Sequence, residues 1–135
     1  MNREILFKAK RKDNGEWVEG YYLNIAKINH FICTGKIKLD RVINRIIAPE
    51  MYTIDPNTIC QYTGFTDKNG KKIWENDIVR NKKGDIGVAQ WFEEHAAFMI
   101  WNKTKNCVCY LAENDFSKIE VIGNVFDNPY LLEVE

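Results

Sequence analysis

The chain has 135 residues, 19 basic and 19 acidic side chains, 45% hydrophobic and 28% charged residues. That is about one domain's length, with too much apolar content for a disordered chain and enough to build a core without disulfides or metal. A net charge of zero excludes a globally basic nucleic-acid coat and leaves room for a local basic patch.

The first apolar pattern is alternating. Ile5, Phe7 and Ala9 alternate with Leu6, Lys8 and Lys10, which predicts a strand. Asp13-Asn14-Gly15 follows as a tight turn, since Asn and Gly tolerate positive φ. Trp17 to Ile28 reads as an extended segment with Tyr21, Leu23 and Ile25 on one side, and His30 to Thr34 as a further strand closed by Gly35. Asp40 to Ile47 fits either a short helix capped by Asp40 or another strand, ended by Pro49 in both cases. Residues 51–62 read as strand, turn and strand around Asp55-Pro56-Asn57.

The second half repeats this grammar. Turns at Lys68-Asn69-Gly70 and Lys82-Lys83-Gly84-Asp85 separate Ile73-Trp74, Asp77 to Arg80, Ile86 to Phe92, Ala97 to Trp101, Cys107 to Leu111 and Ile119 to Phe126. Short strands spaced about 8–12 residues apart favour a small barrel or sandwich. The expected class is mainly β with some α. Helix is expected only at 40–47, at Ala112–Phe116 and after Pro129. Residues 1–55 carry ten basic and seven acidic side chains; residues 56–135 carry nine and twelve. This predicts a boundary near Asp55-Pro56, with residues 1–55 a β-rich segment packed on a second part, 56–135.

The start of the chain is cationic and lacks the apolar run of a secretory signal. The longest apolar run, Ala96 to Trp101, has six residues, far short of the roughly 18 of a membrane span. The expected location is cytoplasmic, away from membranes. Cys33, Cys60, Cys107 and Cys109 form no C-x-x-C knuckle. Cys107 and Cys109 share a strand face, and a zinc site would need two more ligands, such as His30 and Cys33. The simpler reading is buried, reduced thiols acting as small apolar residues, with no metal and no cofactor.

No nucleophile elbow, zinc-protease helix or phosphate-binding loop is present, so no catalytic residue is assigned. Glu93-Glu94-His95 reads as an exposed turn between apolar strands rather than an acid–base group. The most basic stretch holds Lys68, Lys71, Lys72, Arg80, Lys82 and Lys83. As a nucleic-acid surface it would use Lys71, Lys72, Arg80, Lys82 and Lys83 on phosphates, with Trp74 or Trp91 stacking on bases. As plain architecture it is two solvated hairpin turns, which weighs more. Trp91 and Phe92 are adjacent on one strand, so one must turn away from the core. That pair is the candidate protein interface.

Residues 58–79 run from Thr58-Ile59-Cys60-Gln61-Tyr62-Thr63-Gly64 through Asp67-Lys68-Asn69-Gly70 to Ile73-Trp74-Glu75-Asn76-Asp77-Ile78-Val79. This block closely resembles the signature of the YopX family of phage and prophage proteins. The opening Phe7 to Lys10 with Trp17 and Gly20, and the closing Ile119 to Leu132, resemble the family's start and end. The usual family form has Gly where this chain has Asn76, and Asn also accepts left-handed backbone. The resemblance implies an SH3-like small β-barrel in the C-terminal half, an N-terminal extension and an infected or lysogenic bacterial host. It implies no activity and no catalytic residues. Read physically, Asn69-Gly70 closes a hairpin, Gly64 marks a bend or bulge, and Asp67 and Asp77 accept backbone N–H bonds.

Together these readings predict a non-enzymatic phage accessory protein that binds a macromolecule: a phage or host protein, or a nucleic acid. The alternatives are a self-assembling structural protein, hence a homo-oligomer, and a small hydrolase.

Overall fold

The computed structural model describes residues 4–35, 38–47 and 50–133. It divides the chain into two compact units, Met1–Gln61 and Tyr62–Glu135. The division falls inside one strand, between Gln61 and Tyr62.

In the first unit β1 (Phe7–Lys10), β2 (Trp17–Ile25), β3 (Asn29–Thr34) and β6 (Glu50–Thr53) form an antiparallel sheet in the order β6-β3-β2-β1. β1 also pairs with the first residues of β7 (Cys60–Thr66), Phe7 opposite Gln61 and Lys8 opposite Cys60. The alternating pattern turns Ala9, Ile32 and Ile54 inward, where all three are fully buried against Phe7, Val18, Tyr22 and Ile59. The opposite side of β2 shows Tyr21, Leu23 and Ile25 at its surface.

Residues 40–47 are not a helix. β4 (Lys38–Asp40) and β5 (Arg45–Ile47) pair antiparallel. The Asp40 carboxylate accepts N–H bonds from Val42 and Ile43 at 2.9 and 3.3 Å, and Asn44 reverses the chain at φ 50°. Asp40 therefore closes a turn instead of starting a helix, and the β-branched residues around it favour extended backbone. Pro49, expected to end this segment, lies outside the described residues.

The second unit holds a sheet in the order β12-β11-β10-β9-β13. Its strands are β9 (Asp77–Arg80), β10 (Ile86–Phe92), β11 (Ala97–Asn102), β12 (Cys107–Tyr110) and β13 (Glu120–Asn124). Among the described residues no pairing joins β12 to β13, so the hydrogen-bonded order is open. β7 pairs separately with β8 (Lys72–Trp74), with its register shifting between Tyr62 and Thr66. Gly64 sits inside that shift at φ 91°, where any side chain would be strained. Asn76 takes φ 71° at the entry to β9. The core is Ile73, Val79, Ala89, Ile100, Leu111, Ile119 and Val121, flanked by the stacked rings of Phe65 and Phe116, 4.6 Å apart.

The helix expected at Ala112–Phe116 and after Pro129 is reduced to single 3-10 turns, Leu111–Glu113, Phe116–Lys118 and Pro129–Leu132. Each is too short to nucleate an α-helix. The whole chain is mainly β with little helix. Glu93–His95 is an exposed 3-10 turn closed by Ala96 at φ 47°, as the sequence suggested.

None of the four cysteines forms a disulfide, and no three His, Cys, Asp or Glu among the described residues converge to hold a metal. Cys33 and Cys60 are buried, and burial raises the Cys33 thiol above its ordinary value. Cys107 corrects the expectation of a buried thiol. It is exposed, because β12 is an edge strand that, among the described residues, pairs with β11 alone. Among the described residues no helix is long and apolar enough to cross a membrane.

Candidate anion-binding cleft

The second unit concentrates its cations on two adjoining depressions. One, about 550 Å³, is lined by Lys68, Arg80, Asn81, Lys82, Lys118 and Glu120, with Ser117 beside them. The other, about 350 Å³, shares Asn81, Lys82 and Lys118 and adds Lys83, Lys105 and Asp85. Four separate stretches of chain supply these side chains. Six cations face three carboxylates, Asp85, Asp115 and Glu120, a local excess of three positive charges.

Backbone geometry fixes each contributor. Arg80 and Glu120 are direct partners in the β9–β13 register. The Asn81 side-chain oxygen accepts N–H bonds from Lys83 and Asp85, both at 3.0 Å, which closes the turn that presents Lys82 and Lys83. Asp85 also accepts from Asn81, Asn102 and Lys105 side chains at 3.3, 3.3 and 3.4 Å. Burial works against its ionisation, yet these donors hold its carboxyl below the ordinary carboxylate range.

Lys68 reaches the cleft through the residue before it. Asp67 is buried, and one of its oxygens accepts N–H bonds from Asn69 and Lys71, each at 2.9 Å. The other accepts from Val121, also at 2.9 Å, 54 residues along the chain. Lys68 itself donates its N–H to the Ile119 carbonyl at 2.9 Å. The β7–β8 turn is thereby tied to β13, placing the Lys68 ammonium 3.5 Å from Glu120. Burial opposes the Asp67 charge, and the three N–H donors outweigh it, so its carboxyl also sits below the ordinary range.

The Glu120 carboxyl is lowered first by the Arg80 hydrogen bond, at 3.2 Å, and then by the Lys68 charge. Asp115 is lowered by Ser117, which donates both its hydroxyl and its N–H, with Lys118 at 3.6 Å. Lys82 and Lys83 make no ion pair among the described residues and are exposed.

The structure divides the residues suggested from sequence. Arg80, Lys82 and Lys83 line the cleft. Lys71 and Lys72 do not; the Lys72 ammonium lies 5.7 Å from the Tyr62 ring centre. Trp74 corrects the stacking expectation. Only 4% exposed, it packs on Tyr62 at 5.5 Å, so its ring is unavailable to a base. The Trp74 backbone N–H donates to the buried Asp77 carboxylate at 2.8 Å. The sequence reading missed Lys105 and Lys118. Lys118 is distant in sequence, and only the β9–β13 register carries it to Arg80.

Trp91 is the member of the Trp91–Phe92 pair that turns outward, at 43% exposure. Its ring meets Phe98 edge-on at 5.1 Å. It lines a separate groove with Phe92, Glu75, Glu93 and Glu94, whose charge is opposite to that of the cleft.

Known proteins share this architecture. Protein EF1440 from Enterococcus faecalis superposes with a TM-score of 0.63 at 22% identity, over 98% of this chain and 100% of that one. Protein yopX from Bacillus subtilis does so with a TM-score of 0.55 at 15% identity, over 95% and 98%. At these identities the likeness concerns the fold alone. No curated protein matches the sequence. The family model described as YopX protein matches residues 6–133, nearly the full length, and on that match the chain belongs to the YopX family.

Proposed function

We propose that this chain is a non-enzymatic binding module whose second unit holds the phosphate backbone of a nucleic acid in the basic cleft. The supporting observation is convergence: six cations from four stretches of chain meet there with only three carboxylates among them. Clustered cations neutralise phosphates and release counterions, which drives binding without any chemistry. The carboxylates present are engaged by Arg80, Lys105 and Lys118, and His95 stands on an exposed turn, which favours binding over hydrolysis.

We read the second unit as an SH3-like barrel. β9 to β12 form a meander, 3-10 turns follow, and β13 returns antiparallel onto β9. That order is shared with such barrels, although fold alone does not assign a function. The family resemblance supports a phage or prophage accessory protein working in the cytoplasm of an infected or lysogenic host.

An electrophoretic titration tests the reading. DNA or RNA should be retarded at low salt and released as salt rises. No retardation of any nucleic acid at low salt would overturn it. Glu120 offers a sharper check, because it competes with phosphate for Lys68 and Arg80. Glu120→Gln should tighten binding by about threefold to tenfold, the scale of one close charge pair in water. Weaker binding by that variant would argue that the carboxylate positions the cations instead.

A further inference from the structure

We infer that the cleft takes a double-stranded nucleic acid and reads its backbone alone, without base stacking and without sequence preference. This rests on the nucleic-acid reading above and narrows its ligand.

Among the described residues no aromatic side chain lines either depression. Proteins that hold single strands draw much of their affinity from bases stacked on aromatic rings. Here Trp74 is buried under Tyr62. Trp91, the exposed tryptophan of this unit, stands in a groove with three glutamates, which repel phosphate. A single strand would find phosphate contacts in the cleft and nowhere to place its bases. A duplex keeps its bases stacked internally and presents a denser line of charge, about one per 1.7 Å of axis.

The polar side chains of the cleft point to the same ligand. Asn81 spends its oxygen on Lys83 and Asp85, and its amide on Asp85. Asn102 gives its amide to Asp85 and its oxygen to the Lys105 N–H. Both asparagine side chains, which would pair with an adenine edge, are thus committed to the turns, and the Arg80 guanidinium, which would pair with a guanine edge, is engaged by Glu120 at 3.2 Å. What remains free to act is charge.

The exposed thiol of Cys107 lines the smaller depression beside Lys82, Lys105 and Lys118. It reports occupancy without a mutation. The test compares a short blunt DNA duplex of mixed sequence, a second duplex of scrambled sequence, an RNA duplex, and either DNA strand alone. Both DNA duplexes should bind equally within about twofold, and several-fold tighter than the strands. The plot of log affinity against log salt should slope between about −3 and −5, matching the net and total cation counts of the cleft. Saturating duplex should slow alkylation of Cys107 at least about fivefold, read by peptide mass, with tryptophan fluorescence unchanged. The RNA arm tells which backbone fits better. A strand that binds more tightly than the duplex, or quenches tryptophan, overturns the inference and leaves nucleic-acid binding standing. Duplex binding that leaves Cys107 equally reactive overturns the assignment to this cleft. If neither form binds at low salt, the reading beneath it fails too.

Discussion

Asp67→Ala is expected to destabilise the second unit by about 2–4 kcal/mol, because it strands three N–H donors that now reach a charged acceptor, the Val121 one buried. The donors are Asn69, Lys71 and Val121, each 2.9 Å from the carboxylate. Asp67→Asn keeps the shape and loses one accepting oxygen, so it should cost roughly half as much. Urea unfolding at neutral pH measures both. The pH dependence has a definite sign. The folded carboxyl is lowered from its ordinary value, so its contribution is complete above that ordinary value. It fades as pH falls through the lowered one. The gap between wild type and Asp67→Ala should therefore close in acid. A gap that persists unchanged at low pH would mean that packing, not charge, supplies the stability. Because Asp67 ties the β7–β8 turn to β13, its loss should also release Lys68 from the cleft.

The second large effect concerns binding. Lys82→Glu combined with Lys118→Glu should weaken duplex affinity at least about thirtyfold at low salt, since it removes two cations and adds two anions. Both side chains are exposed, so the melting temperature should move little. The control is Lys71→Glu with Lys72→Glu, an identical change in net charge outside the cleft. It should weaken binding far less. Equal losses in the two doubles would show that overall charge, not the cleft, sets affinity. Calorimetry beside a filter-binding titration separates folding from binding in each case.

The turns were the most legible part of this chain. Gly15, Gly70 and Gly84 adopt positive φ at the expected places, Gly64 marks a register shift, and Asn76 takes the left-handed conformation. These are local constraints, carried by one or two residues. Segment 40–47 fits helix or strand in the sequence and takes the strand alternative in the structure, because a capping aspartate and a turn-closing aspartate look alike until the following residues reveal their path. The site was half legible. Arg80, Lys82 and Lys83 are close in sequence and close in space. Lys118 arrives through the β9–β13 pairing, some 40 residues apart in sequence, and Lys105 across the β10–β11 hairpin to Asp85, and single-sequence reading sees neither register. Trp74 was misjudged for a related reason. Its position on a three-residue strand says nothing of which neighbours cover it, and Tyr62 does so through the β7–β8 pairing.

The return of β13 onto β9 sets a thermodynamic linkage between folding and occupancy. Val79 and Ile78 pair with β10 on one side, and only β13, some 40 residues later, satisfies the other. The cleft straddles this seam, with Arg80 on β9 and Lys118 two residues ahead of Glu120 on β13. A ligand spanning both cations closes the seam from outside, and its binding energy adds to the stability of the last strand. Conversely, a chain whose final strand is undocked exposes an apolar strand edge and has no complete cleft. Such a chain is open to aggregation, and under the proposed nucleic-acid binding it would also fail to hold a duplex, so bound duplex would mark the finished fold.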